Sequence, residues 1–383
     1  HQPAPNSTPN TTANPAPNPN RCPRVPMNNE PRTASSDCRS TPTVARRRPA
    51  KIGPLARRSA PSVKRGQTIA MDLRIFIEPQ QGASYEQQLA VAQRAESLGF
   101  DAFFRSDHFL KMGDVSGLPG PSDSWVTLGA IARETSTIKL GTMVTSVTFR
   151  QPGPLAIAVA QVDQMSRGRV ELGIGAGWYD QEHLAYGIPF PPLKERFDRL
   201  EESLEILQGL WHTPIGETFA HHGEYWTIEE SPALPKPAHP AGPPIIIGGA
   251  GLKRTPQLAA RFAAEFNTPF FGLNDVVTAH ARVDQACNAV GRDPASLRRS
   301  ACQVLCCGAT EAEIASRAAA IGRQPDELRE NGMAGTPEEL IAKMHAFSAV
   351  GVTRMYLQTL DLEDLDHLDL LAESVLAAAA ALP

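Results

Sequence analysis

Beyond residue 72 the chain repeats one pattern: a short apolar run, a polar or glycine-bearing break, then apolar positions at three- and four-residue spacing. Uninterrupted apolar runs are what strands buried on both faces look like, and the wider spacing is that of one helix face. Strands are predicted over 73–78, 102–106, 139–147, 170–174, 244–247, 265–269, 302–307 and 353–358. The first helix starts at a capping box, Ser84 with Gln87, and ends near Gly99. Further helices are expected over 125–133, 155–165, 193–211, 255–264, 276–290, 311–321, 337–349 and 365–381. Residues 213–243 break the pattern and suggest a hairpin and an extended crossover. Eight strands alternating with helices can wind into an open sheet or close into a barrel. The count of eight and the terminal helix favour closure, so the expected fold is α/β, a (β/α)₈ TIM barrel.

Composition changes the picture at the front of the chain. Residues 1–70 hold 13 of the 34 prolines and no apolar periodicity, so they cannot bury enough surface to offset their ordering entropy. This segment is read as a disordered extension, and 71–383 as one large domain. The extension carries twelve Lys and Arg against two acids, so the formal −4 averages a basic front with an acidic body. Met71 opens directly onto the first strand, and a true start there, with translated sequence upstream, is the preferred reading. A basic arm for RNA or membrane is the alternative. The front lacks the charged, apolar, small order of a signal peptide, and no run reaches the ~18 apolar residues of a membrane span. The acidic body offers no footprint for nucleic acid, and a cytoplasmic location is expected. Cys287, Cys302, Cys306 and Cys307 lack metal spacing and read as buried free thiols.

In α/β barrels the chemistry lies at the carboxyl ends of the strands, which selects three places. Strand two ends in Ser106, Asp107, His108 and Phe109. A carboxylate beside an imidazole can bind a ligand edge and move a proton near neutral pH, although a capping Asp and a structural His give the same letters. Strand four ends in Gly175, Ala176, Gly177 and Trp178, where glycine lets backbone amides approach a ring or phosphate, or merely makes a tight turn. Strand five ends in Gly248, Gly249, Ala250 and Gly251, opening onto Lys253 and Arg254. Glycine amides, a helix start and two cations together suggest an anion site.

The runs 140–144, 161–163, 166–173 and 175–178, then 186–191, 196–197, 222–226, 235–237 and 244–249, resemble the luciferase-like monooxygenase family. Within it the chain looks most like the actinobacterial branch dependent on coenzyme F420, a deazaflavin. The resemblance covers essentially all of 71–383. It implies a cofactor ring in the barrel mouth against a bulge after strand three, with a non-proline cis peptide at Met143–Val144. It also implies that Asp107 contacts the ring edge, that His108 faces the reacting centre as proton donor or acceptor, and that Gly175, Ala176 and Gly177 line the cofactor tail. Gly248, Gly249 and Gly251 would approach the ring or phosphate. Sugar-phosphate dehydrogenases of the family carry a Trp and a Glu where this chain has Met112 and Trp178. With Trp178 and Phe109 nearby, an apolar or aromatic small-molecule substrate is expected instead.

FMN is the alternative cofactor, which would make the chain a monooxygenase served by a flavin reductase. Other rivals are a non-catalytic flavin-binding barrel and a metal-dependent hydrolase. The hydrolase expects a His-x-His after strand one, which 75–78 does not provide, and His221 with His222 reads as a solvated hairpin. His183, Trp211 and His345 are assigned to helix faces and packing, without a catalytic role. Dimerisation through barrel helices is the assembly that the family implies.

Overall fold

The computed structural model describes residues 71–382. The expected disorder of 1–70 falls outside them. The apolar runs become β1 (Asp72–Ile77), β2 (Ala102–Arg105), β3 (Lys139–Ser146), β4 (Val170–Gly175), β7 (Ile245–Gly248), β8 (Glu265–Pro269), β9 (Arg298–Cys307) and β11 (Arg354–Thr359). All pair in parallel, and the β8–β9 pairing closes the ring into a barrel. Between β4 and β7, β5 (Phe219–His222) and β6 (Thr227–Ser231) form the antiparallel hairpin. A short β10 (Met333–Gly335), absent from the sequence reading, extends the end of β9 outside the ring.

The amphipathic stretches form the surrounding helices: α1 (Tyr85–Leu98), α2 (Ser124–Glu134), α3 (Pro152–Ser166), α4 (Asp180–Ala185), α5 (Leu193–His212), α6 (Arg254–Phe262), α7 (Leu273–Ala289), α8 (Glu311–Ala320), α9 (Pro325–Asn331), α10 (Pro337–Ala349) and α11 (Asp366–Leu371). The last continues through a π turn, Ala372–Leu376. Both hydrogen bonds of the Ser84–Gln87 capping box are present at the start of α1. Cys287, Cys302, Cys306 and Cys307 are buried free thiols. No helix among the described residues is long and apolar enough to cross a membrane.

Alternate side chains of each strand enter two separate layers. Outward residues such as Leu73, Ile75, Phe103, Leu172 and Leu357 pack against the helices. Inward ones, Phe76, Phe104, Ile246, Cys302 and Tyr356 with Met143, fill the middle of the barrel. Below that plug, towards the strand starts, lies a layer of charge. Arg74 holds Glu171 through two hydrogen bonds, at 2.5 and 3.1 Å, and donates to the Tyr356 hydroxyl at 2.9 Å. Tyr356 donates to Glu265 at 2.8 Å, and Arg354 bonds Glu265 as well. The plug separates this floor from the mouth, where the candidate residues lie.

Candidate active site

Five strand ends shape the mouth. β3 bulges between Thr142 and Thr145, where its register against β4 shifts, and the Met143–Val144 peptide within the bulge is cis, where the resemblance places it. The facing strand makes room for it. A Cβ on Gly173 would collide with the Thr142 carbonyl, and one on Gly175 would lie 3.0 Å from Val144 Cγ2. Gly177 has φ +76°, and its Cβ would meet Ser146 Oγ at 2.5 Å. The glycine alternation after β4 is therefore tied to the bulge beside it, and Ala176 sits half-buried between.

His108 follows β2 with its side chain 19 % exposed. Its Nδ1 lies 3.0 and 3.2 Å from the two carboxylate oxygens of Glu182 on α4. The Phe109 amide donates to the same carboxylate at 2.9 Å. Among the described residues, His108 Nε2 has no hydrogen-bond partner. Trp178, 65 % exposed, stands edge-on to the His108 ring at 5.7 Å and stacks on Tyr179 at 5.2 Å. Phe109 turns aside to pack on Phe149 at 4.7 Å, so Trp178 is the aromatic face nearest the histidine. From the end of β1, Glu78 lies close enough to feel the charge of His108. Burial pushes its carboxyl up, against the opposing effects of His108 and a hydrogen bond from Gln358.

Asp107 lies next to His108 in sequence but points elsewhere. Its carboxylate is out of solvent and held bidentately by Arg150, at 2.5 and 3.2 Å. Arg150 also binds Asp123, the N-cap of α2, at 2.6 Å. Burial pushes the Asp107 carboxyl up, but the two-pronged geometry and the second acid favour an ionised pair, and Arg150 is held above its ordinary value. What the structure brings to the mouth beside His108 is the pair's neighbourhood, with the Asp107 oxygens turned towards Arg150.

The strand-five glycines stand at the rim as expected by position. Gly248 ends β7 against Asn267, and Gly249 and Gly251 form the turn before α6. The anion-site expectation needs correction at one residue. Arg254 is turned outward onto Asp198 and Glu201 of α5, because those acids face it across the helix pair, while Lys253 remains exposed.

Three residues placed against the predicted ones went unseen in the sequence: Glu182, Arg150 and Glu78. Glu182 and Arg150 lie 74 and 43 positions from the residues they hold, so no local spacing marks them. The one signal near Glu182 is its His183 neighbour. That histidine is buried as packing would have it, with Nδ1 on the Tyr179 carbonyl at 2.7 Å and Nε2 on Thr148 at 2.6 Å. Trp211 is likewise internal, donating to the Ala156 carbonyl at 3.1 Å. In the hairpin, His222 is largely exposed and His221 rests on Glu202.

A closed parallel barrel with its histidine, acids and aromatic face gathered at the carboxyl ends of the strands has the layout of the barrel enzymes. The chain belongs to the luciferase-like monooxygenase family, whose model matches residues 69–332. It is 39 % identical over 188 residues to an F420-dependent glucose-6-phosphate dehydrogenase of Nakamurella multipartita, covering 49 % of this chain and 52 % of that one. The chain spans about half the length of the curated relatives it matches first. Its fold is that of an F420-dependent secondary alcohol dehydrogenase solved with an F420–acetone adduct, at TM-score 0.69 and 20 % identity over 81 % of this chain and 99 % of that one. The fold is shared too with the oxygenating component of 3,6-diketocamphane monooxygenase from Pseudomonas putida solved with FMN, at TM-score 0.65 and 22 % identity over 82 % of this chain and 100 % of that one.

Proposed function

We propose that the chain is an F420-dependent oxidoreductase that moves a hydride between the deazaflavin and a small, unphosphorylated organic substrate with an apolar or aromatic group. The observation that carries this reading is His108, anchored through Nδ1 and bare at Nε2, beside the exposed face of Trp178. The matching relatives named for F420 support the cofactor. The glycines after β4 let that strand close up on the β3 bulge, the feature against which the family resemblance sets a flat ring. Val144, Gly175 and Gly177 would hold the ring and its tail, and Gly248 and Gly249 the opposite edge. When bound, the deazaflavin supplies hydride acceptance or donation at its C5 position.

His108 accepts or returns the substrate's hydroxyl proton at Nε2. Asp107 acts one step back, holding Arg150 and with it the loop after β3 against the start of α2. Trp178 offers a π face to the substrate where the sugar-phosphate enzymes carry a Glu. Arg150 and Arg254 are committed to acids and Arg196 to the Gly177 and Pro191 carbonyls, which disfavours a phosphorylated substrate.

Parallel fluorescence titrations of the full chain with F420 and with FMN test the cofactor. Tight binding of F420 alone, followed by turnover of aryl or alkyl secondary alcohols, or of the matching ketones with reduced F420, is the expected result. Binding of FMN alone would replace this reading with a monooxygenase that needs a reductase. Turnover of sugar phosphates only would overturn the substrate class.

A further inference from the structure

The geometry points to Glu182 as the positioning residue that sets the tautomer of His108. We propose that Glu182 keeps the ring proton on Nδ1, so that Nε2 presents a lone pair to the mouth. The inference rests on the proposed function for its catalytic meaning, but the tautomer itself stands on the contacts alone.

A neutral imidazole carries one N–H and one lone pair, and the partner of either nitrogen decides which is which. Glu182 offers lone pairs only, and both of its oxygens lie within 3.2 Å of His108 Nδ1. Its side chain is 2 % exposed, so water does not compete for those lone pairs. The Phe109 amide, donating to Oε2 at 2.9 Å, fixes the carboxylate from the neighbouring residue of the same loop. One buried acid thus grips two successive residues after β2.

The platform beneath Glu182 is itself fixed. Its neighbour His183 faces a carbonyl through Nδ1, so Nδ1 holds the proton and Nε2 accepts from the Thr148 hydroxyl. Thr148 in turn accepts from Ser146, at 2.7 Å. Two adjacent residues of α4 therefore tie the loop after β2 and the loop after β3 to the turn after β4. This gives the short helix a purpose that its weak apolar pattern conceals.

Glu182→Gln is the discriminating variant. A glutamine has a single acceptor oxygen, which the Phe109 amide requires. Its NH₂ is then left facing His108 Nδ1 and donates to it, and the ring proton moves to Nε2. In ¹⁵N-histidine-labelled full chain without cofactor, His108 is expected as the Nδ1–H form in the wild type and the Nε2–H form in Glu182→Gln, with His108→Asn identifying the resonance. Turnover with F420 should fall on the order of 10²- to 10⁴-fold through kcat, with KM and cofactor Kd within about threefold. Wild-type His108 carrying its proton on Nε2 overturns the proposal, and that spectrum decides the matter even where the variant does not fold. An unchanged tautomer in Glu182→Gln overturns it as well. A switched tautomer with undiminished turnover supports the positioning role and instead defeats His108 as the proton carrier.

Discussion

The floor and the mouth of this barrel are both built from charged and polar side chains, but they are wired in opposite ways. At the floor, Arg74, Glu171, Glu265, Arg354 and Tyr356 bond to one another across the barrel axis, from four strands, and all are buried. Arg74 also meets Asp101 at 2.6 Å, a contact close enough for charge attraction but without hydrogen-bond alignment at Asp101 Oδ2. The buried floor charges are answered chiefly by one another, with partly exposed Asp72 and Asp101 at the edge, which is what burial of charge demands. At the mouth, the candidate residues His108 and Trp178 are each backed by one partner and left open in front, while Asp107 is closed off by Arg150. Glu182 holds His108, Tyr179 backs Trp178, and Arg150 holds Asp107. A closed network consumes its hydrogen-bonding capacity in stability, whereas a one-sided one keeps some for a ligand.

The contrast breaks most visibly at His108. His108→Ala should lower turnover on the order of 10²- to 10⁴-fold while the urea unfolding midpoint stays nearly unchanged. A large stability loss with intact turnover would make His108 a floor-like residue. The floor should respond in the reverse sense. Arg74→Met leaves Glu171 buried without its principal partner and should cost about 3–5 kcal/mol in unfolding free energy. Turnover per folded molecule should persist, because the plug of Phe76, Phe104 and Tyr356 lies between floor and mouth.

Acid gives the smallest and most detailed comparison. Burial pushes His280 and His367 down to about 4, far below their unfolded value near 6.5. Their neutral forms stabilise the fold above the unfolded pKa, and that contribution is lost as pH falls from about 6.5 to about 4. The floor acids titrate lower. Burial alone would raise Asp101 and Glu171, but Arg74 outweighs it and holds both below the ordinary carboxylate range. Their contribution is present above about 4 and disappears as pH falls through the lowered values. Unfolding midpoints measured across pH should thus show two descending limbs. Arg74→Met should flatten only the lower one, and an unchanged lower limb would remove Asp101 and Glu171 from the acid response.

How much of this was legible depends on the range of each interaction. The barrel strands fall within a few residues of their sequence positions, because two-sided burial writes a continuous apolar run. The capping box of α1 was legible for the same local reason, since Ser84 and Gln87 are three positions apart. The short α4, α9 and β10 were not. Each is too brief to show a period, and β10 exists only because β9 runs past the barrel rim and offers an edge.

The apolar and glycine pattern pointed to strand ends that do stand at the carboxyl rim, but it could not tell which way Asp107 or Arg254 would turn. Asp107 meets Arg150 and Arg254 meets α5, and those partners come from distant turns of the same repeat. The sequence by itself determined the alternation that closes the barrel, the residues standing at its carboxyl rim and the family to which they belong, since these follow from local periodicity and short motifs. Only the tertiary structure decided that Glu182 backs His108, that Asp107 serves Arg150 and that the glycines after β4 accommodate the bulge of β3. Pairings of that kind depend on how the loops after β2, β3 and β4 fold over neighbouring strand ends, which local periodicity does not record.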